Sequence, residues 1–306
     1  MLMHCAEWSG DIKMKENILV KIIDEGLSVM NSSVSTMVGA LMTSLFITKN
    51  NEKKELAKIK AGNFADVLNG LYDDGKISLV EYYKCSNFLK IAKLADKILG
   101  KDECSHTRDN YEKYSFDWFL KFYDHSGYIG NDKAQKLWAA VLANEIQNPN
   151  STPLSLVHSL SIMSQEQAKF FCNISRFVLL DYKDNFPHLF IFVSSNRAAY
   201  MNSKITPEAL RELERLGLVE CDFEHEYIFM KKKMFKMGNN IITVHGDPNN
   251  DSKIKAGNVN FTSDGKLLYS IIDDKYKRYR SDILNFIIER FKIRNCSIVI
   301  NDRKII

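Results

Sequence analysis

The chain has 306 residues, more than one typical domain, so two or three folding units are expected. Its composition, 45% hydrophobic and 26% charged, is ordinary for a soluble globular protein with a core of normal size. A net charge of +4 is too mild to imply a nucleic-acid partner by itself. The six scattered cysteines, without Cys-x-x-Cys spacing, read as reduced cytoplasmic thiols rather than zinc ligands.

The first residues lack a basic region followed by an apolar one, so no signal peptide is expected. Ile12 to Met30 reads as an amphipathic helix with Leu19, Ile22, Ile23, Leu27 and Met30 on one face. No charged residue occurs from Gly26 to Thr48, a stretch long enough to cross a bilayer. Its many Ser, Thr and Asn residues dilute that signal, and Ser35, Gly39, Ala40 and Ser44 suit close contact with another helix. Asn50 to Leu71 is a lysine-rich amphipathic helix, followed by a turn at Asp73 to Gly75. Ser78 and Glu81 form a capping box for a helix that runs to Leu99 and stops at Gly100. Lys101 to Asn110 reads as a linker, and its Cys104 and His106 are too few to hold a metal.

The clearest helix grammar lies between Tyr111 and Val178. Asp132 and Gln135 are spaced as a capping box, followed by Ala134, Leu137, Trp138, Val141 and Leu142 at helical spacing. That helix should stop before Pro149, and Ser151 or Thr152 can cap a second one with Pro153 at its first position. Ser164 and Gln167 form a further capping box, with Ala168, Phe171, Cys172, Ser175 and Val178 as the following stripe. Glu145 sits at the edge of the Val141/Leu142 stripe, just before the proline turn. A carboxylate there can accept the free N–H groups that open the next helix. The alternative role is a general base or metal ligand, and no local His or second carboxylate supports it.

The helix Trp138 to Glu145, the Pro/Ser turn after it, and the segment Leu160 to Phe170 together resemble a bacterial family catalogued as a domain of unknown function. The same pattern is similar to abortive-infection proteins of the Abi-alpha type. The resemblance is best over Tyr111 to Val178, weaker over Leu210 to Tyr269, and absent before Phe64. It implies a place in phage defence. Its residues are core and cap residues, which speak to fold rather than to mechanism.

Beyond Val178 the pattern changes. Leu189 to Val193 reads as a strand, and Thr206 caps a helix that Gly217 ends. Strands are expected at Leu218 to Phe223, Tyr227 to Met230, Ile241 to His245 and Asn258 to Phe261. Thr262 caps a helix through Ile272, Arg280 to Ile293 is another helix, and Ser297 to Asn301 is a last strand. A helix ending in Leu-Gly-Leu-Val, a small ribbon and a further helix form a winged-helix-like pattern.

Familiar chemical signatures do not emerge. Gly257 and Gly265-Lys266 do not make a phosphate loop, and there is no Gly-x-Ser-x-Gly elbow. Asp247, Asn249 and Asp251 begin like a calcium loop, but Ser252 and Asn258 stand where Gly and Glu are needed. His245-Gly-Asp247 reads as a turn, and Glu224-His225-Glu226 as a hairpin end.

The expected fold is mainly α: an N-terminal and central helical bundle followed by a smaller α+β winged-helix-like C-terminal module. The expected regions are 1–108, 109–183 and 184–306. The expected function is that of a non-enzymatic cytoplasmic interaction or regulatory protein without catalytic residues, metal or cofactor. Its structural motif is Trp138, Glu145, Ser164 and Gln167.

Two alternatives remain open. One is a nucleic-acid-binding regulator, although the helix before the ribbon sets Glu208, Glu212 and Glu214 against Arg211 and Arg215. The other is an effector that touches membrane through residues 26–48. Between Lys275 and Lys304 nine cations face three carboxylates. There Lys275, Lys277, Arg278 and Arg280 interleave with Tyr276 and Tyr279, a pattern suited to docking an acidic protein or a nucleic-acid backbone.

Overall fold

The computed structural model describes residues 64–99, 115–192, 205–272, 274, 277, 281–301 and 303–304. The chain divides into two compact units, Met1–Ser161 and Ile162–Ile306.

The described part of the first unit is helical: α1 (Phe64–Asp73), α2 (Leu79–Leu99), α3 (Phe116–Ser126), α4 (Asp132–Gln147) and α5 (Leu154–Ile162). Gly75, at φ +67, turns the chain between α1 and α2. The Ser78 N–H then donates to Glu81 Oε2 at 2.8 Å while Ser78 Oγ accepts from Glu81 N–H, the reciprocal cap expected there. Along α2, Phe88, Ile91, Ala92 and Ala95 are buried at helical spacing. Against them stand Trp138, Ala139, Leu142 and Ala143 of α4, and the small alanines allow close packing of α2 on α4. Aromatic rings fill the rest of this core. Trp118 stacks on Phe122 at 4.9 Å, Phe122 meets Trp138 at 5.2 Å, and Phe88 meets Tyr123 edge-on at 5.1 Å.

Two expected caps are built differently. Asn131, not Asp132, caps α4, its Oδ1 accepting from the N–H groups of Lys133 and Ala134. Gln135 is buried, so its amide turns inward and donates to Ile129 O at 2.8 Å instead of reaching back to the helix start. Before α5, the Ser151 and Thr152 hydroxyls accept from Asn144 Nδ2 rather than from helix N–H groups.

The second unit overturns the expectation of a mainly α protein with a small winged-helix-like module; the chain is α+β. After α6 (Gln165–Ile174) and a 3₁₀ turn at Ser175–Phe177 come β1 (Val178–Asp181), β2 (Pro187–Leu189) and α7 (Pro207–Arg215). Next are β3 (Val219–Cys221), β4 (Ile228–Met230), β5 (Lys232–Met237), β6 (Asn240–His245), β7 (Lys253–Lys255) and β8 (Val259–Phe261). The chain then forms α8 (Ser263–Ile271), α9 (Ser281–Ile293), β9 (Ser297–Ile300) and β10 (Arg303–Lys304).

A six-stranded antiparallel sheet runs in the order β10-β9-β6-β5-β1-β2, while β3 pairs with β8 and β4 with β7. The β5–β6 hairpin is the centre of that sheet, not a wing. Its second strand stands where Ile241 to His245 is expected, but β5 escapes a sequence reading because Lys232, Lys233 and Lys236 mask the inward alternation of Phe235 and Met237. Likewise Val178, which continues the stripe of α6, opens β1. The expected strand Leu189 to Val193 is instead Pro187–Leu189, and the Phe190 to Phe192 run that follows is buried outside any strand.

Leu179, Phe235, Ile242, Val244 and Ile298 line one side of the sheet and are fully buried. Phe190 joins that side to α9, meeting Phe235 at 5.3 Å and Phe291 at 5.4 Å. The start of α8 is fixed on β3 at close range. Thr262 Oγ1 accepts from Gly265 N–H and donates to Gly217 O at 2.6 Å, and Thr262 N–H donates to Leu218 O.

A Cβ on Gly265 would lie 1.9 Å from the Leu218 carbonyl oxygen, which is backbone and cannot move aside. Gly265→Ala is therefore expected to lower stability by about 3 kcal/mol, whereas an alanine at Gly130, with open space around it, should cost less than about 1 kcal/mol. Urea denaturation of the two variants checks the contrast.

Candidate functional site

Glu145 reaches the turn between α4 and α5 from the edge of the buried face of α4. Its Oε1 accepts the Asn150 N–H at 2.6 Å and its Oε2 the Thr152 N–H at 2.9 Å, with the side chain almost fully buried. Asn150 takes φ +63, and the anchored turn presents the Thr152 carbonyl to Trp118 Nε1 at 2.7 Å. Burial raises the Glu145 carboxyl above its ordinary range, and the N–H groups of Thr152 and Asn150 oppose that shift. Both carboxylate oxygens are occupied by backbone donors, an anchoring role.

The other motif residues are also built into the frame. The Trp138 ring is in the core. Ser164 and Gln167 close the capping box of α6, with Gln167 N–H on Ser164 Oγ at 3.1 Å and Ser164 N–H on Gln167 Oε1 at 2.8 Å. Gln167 Nε2 continues to Glu212 Oε2 of α7 at 3.2 Å.

Sheet pairing assembles a second polar group that the sequence does not announce. Asp181 of β1 lies opposite Phe235 of β5; Lys233 is two residues along β5, and His188 of β2 lies opposite Leu179. The alternation of strands therefore puts Asp181, His188 and Lys233 on one face, around the Phe235 ring. The Lys233 ammonium pairs with Asp181 Oδ2, and Lys183 N–H donates to Asp181 Oδ1 at 3.0 Å. His188 stands among Phe229 at 4.8 Å, Phe186 at 4.9 Å and Phe235 at 5.9 Å. Its Nε2 is 3.7 Å from Asp181 Oδ2, beyond hydrogen-bond reach, and is buried without a partner.

Burial alone would raise the Asp181 carboxyl. The Lys233 ammonium and the Lys183 N–H outweigh it, and the net shift is downward. His188 is pushed below its ordinary value by burial first and by the Lys233 charge second. Only the antiparallel register brings these three residues together. The one local hint is a histidine just ahead of an apolar run.

Of the cationic stretch, Lys275, Tyr276, Arg278, Tyr279 and Arg280 lie outside the described residues, as do Gly26 to Thr48, Cys104 and His106. Lys277 is described. Its ammonium donates to Ser270 O at 3.1 Å, meets Asp274 Oδ1 at 3.3 Å and lies 5.1 Å from the centre of the Tyr269 ring, so it is engaged within its own unit.

The Glu224-His225-Glu226 segment joins β3 to β4. Glu226 receives Arg294, in the turn just after α9, through both oxygens, at 2.8 and 3.2 Å, and the arginine also covers Phe192. Asp247 closes a turn by accepting the Asn249 N–H and the Asn295 amide. Among the described residues, no cluster of His, Cys, Asp and Glu is placed to hold a metal, and no helix is long and apolar enough to cross a membrane.

A family model described as "Protein of unknown function (DUF2806)" matches residues 76–284, from the turn before α2 into α9. No curated protein and no solved structure matches the chain.

Two outcomes test these assignments. Glu145→Ala leaves two N–H groups of the turn without an acceptor and should cost about 2–6 kcal/mol in urea unfolding, at about 1–3 kcal/mol for each stranded donor. For His188, a depressed folded pKa means that its contribution to stability is present above the unfolded value of 6.5 and is lost as pH falls through the lower folded value. Asp181, also depressed, loses its contribution at still lower pH. Stability measured by denaturation should therefore fall on acidification below pH 6.5, and His188→Phe should flatten the upper part of that decline.

Proposed function

The chain belongs to the DUF2806 family, and on that premise we propose that it acts through contact with a protein partner rather than through covalent chemistry. One observation carries the reading. At the start of α2, Leu79, Val80 and Tyr83 are 51%, 59% and 58% exposed, with Tyr72 of α1 beside them. Tyr82 connects the two helices, its ring 5.1 Å from Tyr72 and 5.9 Å from Tyr83 and its hydroxyl on Asn69 Oδ1 at 2.8 Å. A tyrosine-edged apolar surface on a well-packed helix is the composition of an interface core.

The ionisable groups in the interior favour the same reading. Glu145, Asp181 and Glu226 each hold structural partners. The resemblance of Trp138 to Glu145 and Leu160 to Phe170 to Abi-alpha-type proteins supports a bacterial role in abortive infection. A cytoplasmic place is supported by the free thiols of Cys85, Cys172, Cys221 and Cys296.

Replacing Leu79, Val80 and Tyr83 together by Glu changes exposed positions only, so stability should move by less than about 1 kcal/mol. In a phage-challenge assay the variant should lose protection and, in cells, lose its cross-linked partner. Full protection by a variant with an unchanged melting curve would remove this surface from consideration. Turnover of nucleotides, NAD or nucleic acid by the purified chain at enzymatic rates would end the non-enzymatic reading.

A further inference from the structure

We propose that the open face of the six-stranded sheet in the second unit is a binding platform for single-stranded nucleic acid. The register divides the sheet into two unlike sides. On the inward side Phe235, Ile242 and Val244 are fully buried. On the opposite side Val178 and Leu189 are buried, but Leu180, Lys232, Met234, Lys236 and Thr243 are partly or wholly exposed, and Tyr182 extends this open part by donating its N–H to Met234 O at 3.0 Å. The alternation places these residues side by side on neighbouring strands.

The charge on this side has one sign. Lys233, on the inward side, is the lysine of β5 that pairs with Asp181. Lys232 and Lys236 have no carboxylate partner among the described residues, and no described position on the open side is Asp or Glu. Lys236 Nζ instead rests 4.8 Å from the centre of the Tyr182 ring and 3.3 Å from Asn185 Oδ1. Tyr182 is 39% exposed. An exposed ring with one ammonium beside it, flanked by a second cation and by apolar Leu180 and Met234, offers phosphate contacts and a stacking surface together.

The polar residues on the same side decide between polyanions. Thr243, His245 and Ser297 lie there by register. An acyl layer pressed on the sheet would strip water from these groups and return no hydrogen bond. Base edges and sugar hydroxyls supply donors and acceptors at that depth, which favours a nucleic acid over a lipid surface.

The probes are fluorescein-labelled oligouridylate and oligothymidylate, titrated with the full chain by anisotropy across a salt series. Saturable binding that weakens as salt rises is expected. The double variant Lys232→Gln/Lys236→Gln should lower affinity about tenfold or more and flatten the log–log salt slope by about 1.4, because each phosphate that a lysine neutralises on a single strand contributes about 0.7. Tyr182→Leu should lower affinity about tenfold, as the loss of one stacked base does. Lys90→Gln/Lys93→Gln, an equal change of charge on exposed positions of α2, should leave both affinity and slope unaltered. Melting curves verify that each variant is folded.

Absence of saturable binding to either oligonucleotide overturns the proposal. So does binding unchanged in affinity and slope by the Lys232/Lys236 double variant. Binding only to phosphatidylserine vesicles or to polyglutamate, and not to the oligonucleotides, overturns it as well. None of these results bears on the Leu79/Val80/Tyr83 surface, which lies in the other unit and is tested by phage challenge.

Discussion

A buried carboxylate with no cation beside it holds the centre of the helical unit. Glu145 could not remain inside unless its oxygens were satisfied, and the turn after α4 satisfies both with the N–H groups of Asn150 and Thr152. The turn could not take its shape without that acceptor, because Asn150 is left-handed and its N–H points inward. The same turn then supplies the carbonyl that fixes Trp118, whose ring stacks on Phe122 and through it reaches Trp138. One hydrogen-bonded anchor therefore sets the end of α4, the start of α5 and the position of the aromatic core. Burial raises the Glu145 carboxyl above its ordinary range, and the backbone donors oppose that shift.

In the second unit the organising residue is apolar. Phe235 sits at the middle of the sheet's inward side, with Phe190, Phe229 and His188 arranged around it. Phe190 carries the contact on to Phe291 of α9, so sheet and helix share one aromatic layer. At its rim the layer gives way to Asp181 and Lys233, which pair with each other, and burial first and the Lys233 charge second push His188 below its ordinary value. The low polarity that stabilises the layer also makes the rim sensitive to protons.

The two units leave distinct chemistry at the surface. The first presents aliphatic and tyrosine side chains at the start of α2, and the second a carboxylate-free side of an antiparallel sheet. The two proposed docking roles rest on these surfaces, of different character, in a chain whose family match runs across both units. A protein with two such faces can join unlike partners, and the proposed roles are separable by surface substitution.

Local chemistry was legible in the sequence wherever the decisive partners are neighbours along the chain. The Ser78–Glu81 and Ser164–Gln167 boxes, the Thr206 and Thr262 caps and the Gly217 stop stand where their spacing puts them, because capping requires only residues a few positions apart. Glu145 was legible for the same reason. The caps of α4 and α5 were not, since burial of Gln135 and the claim of Asn144 on Ser151 and Thr152 depend on helices folding against each other. Nor was β5. Its lysines break the apolar pattern, and it becomes a central strand only because β1 and β6 pair on either side and shelter Phe235. The meeting of Asp181, His188 and Lys233, and the division of the sheet into a buried and an open side, follow from that register. Sequence determined the helix ends and the apolar stripes through short-range hydrogen bonding and periodicity. Tertiary structure decided the sheet, the rim cluster and the exposed faces, because strand pairing joins residues whose separation along the chain carries no local signal.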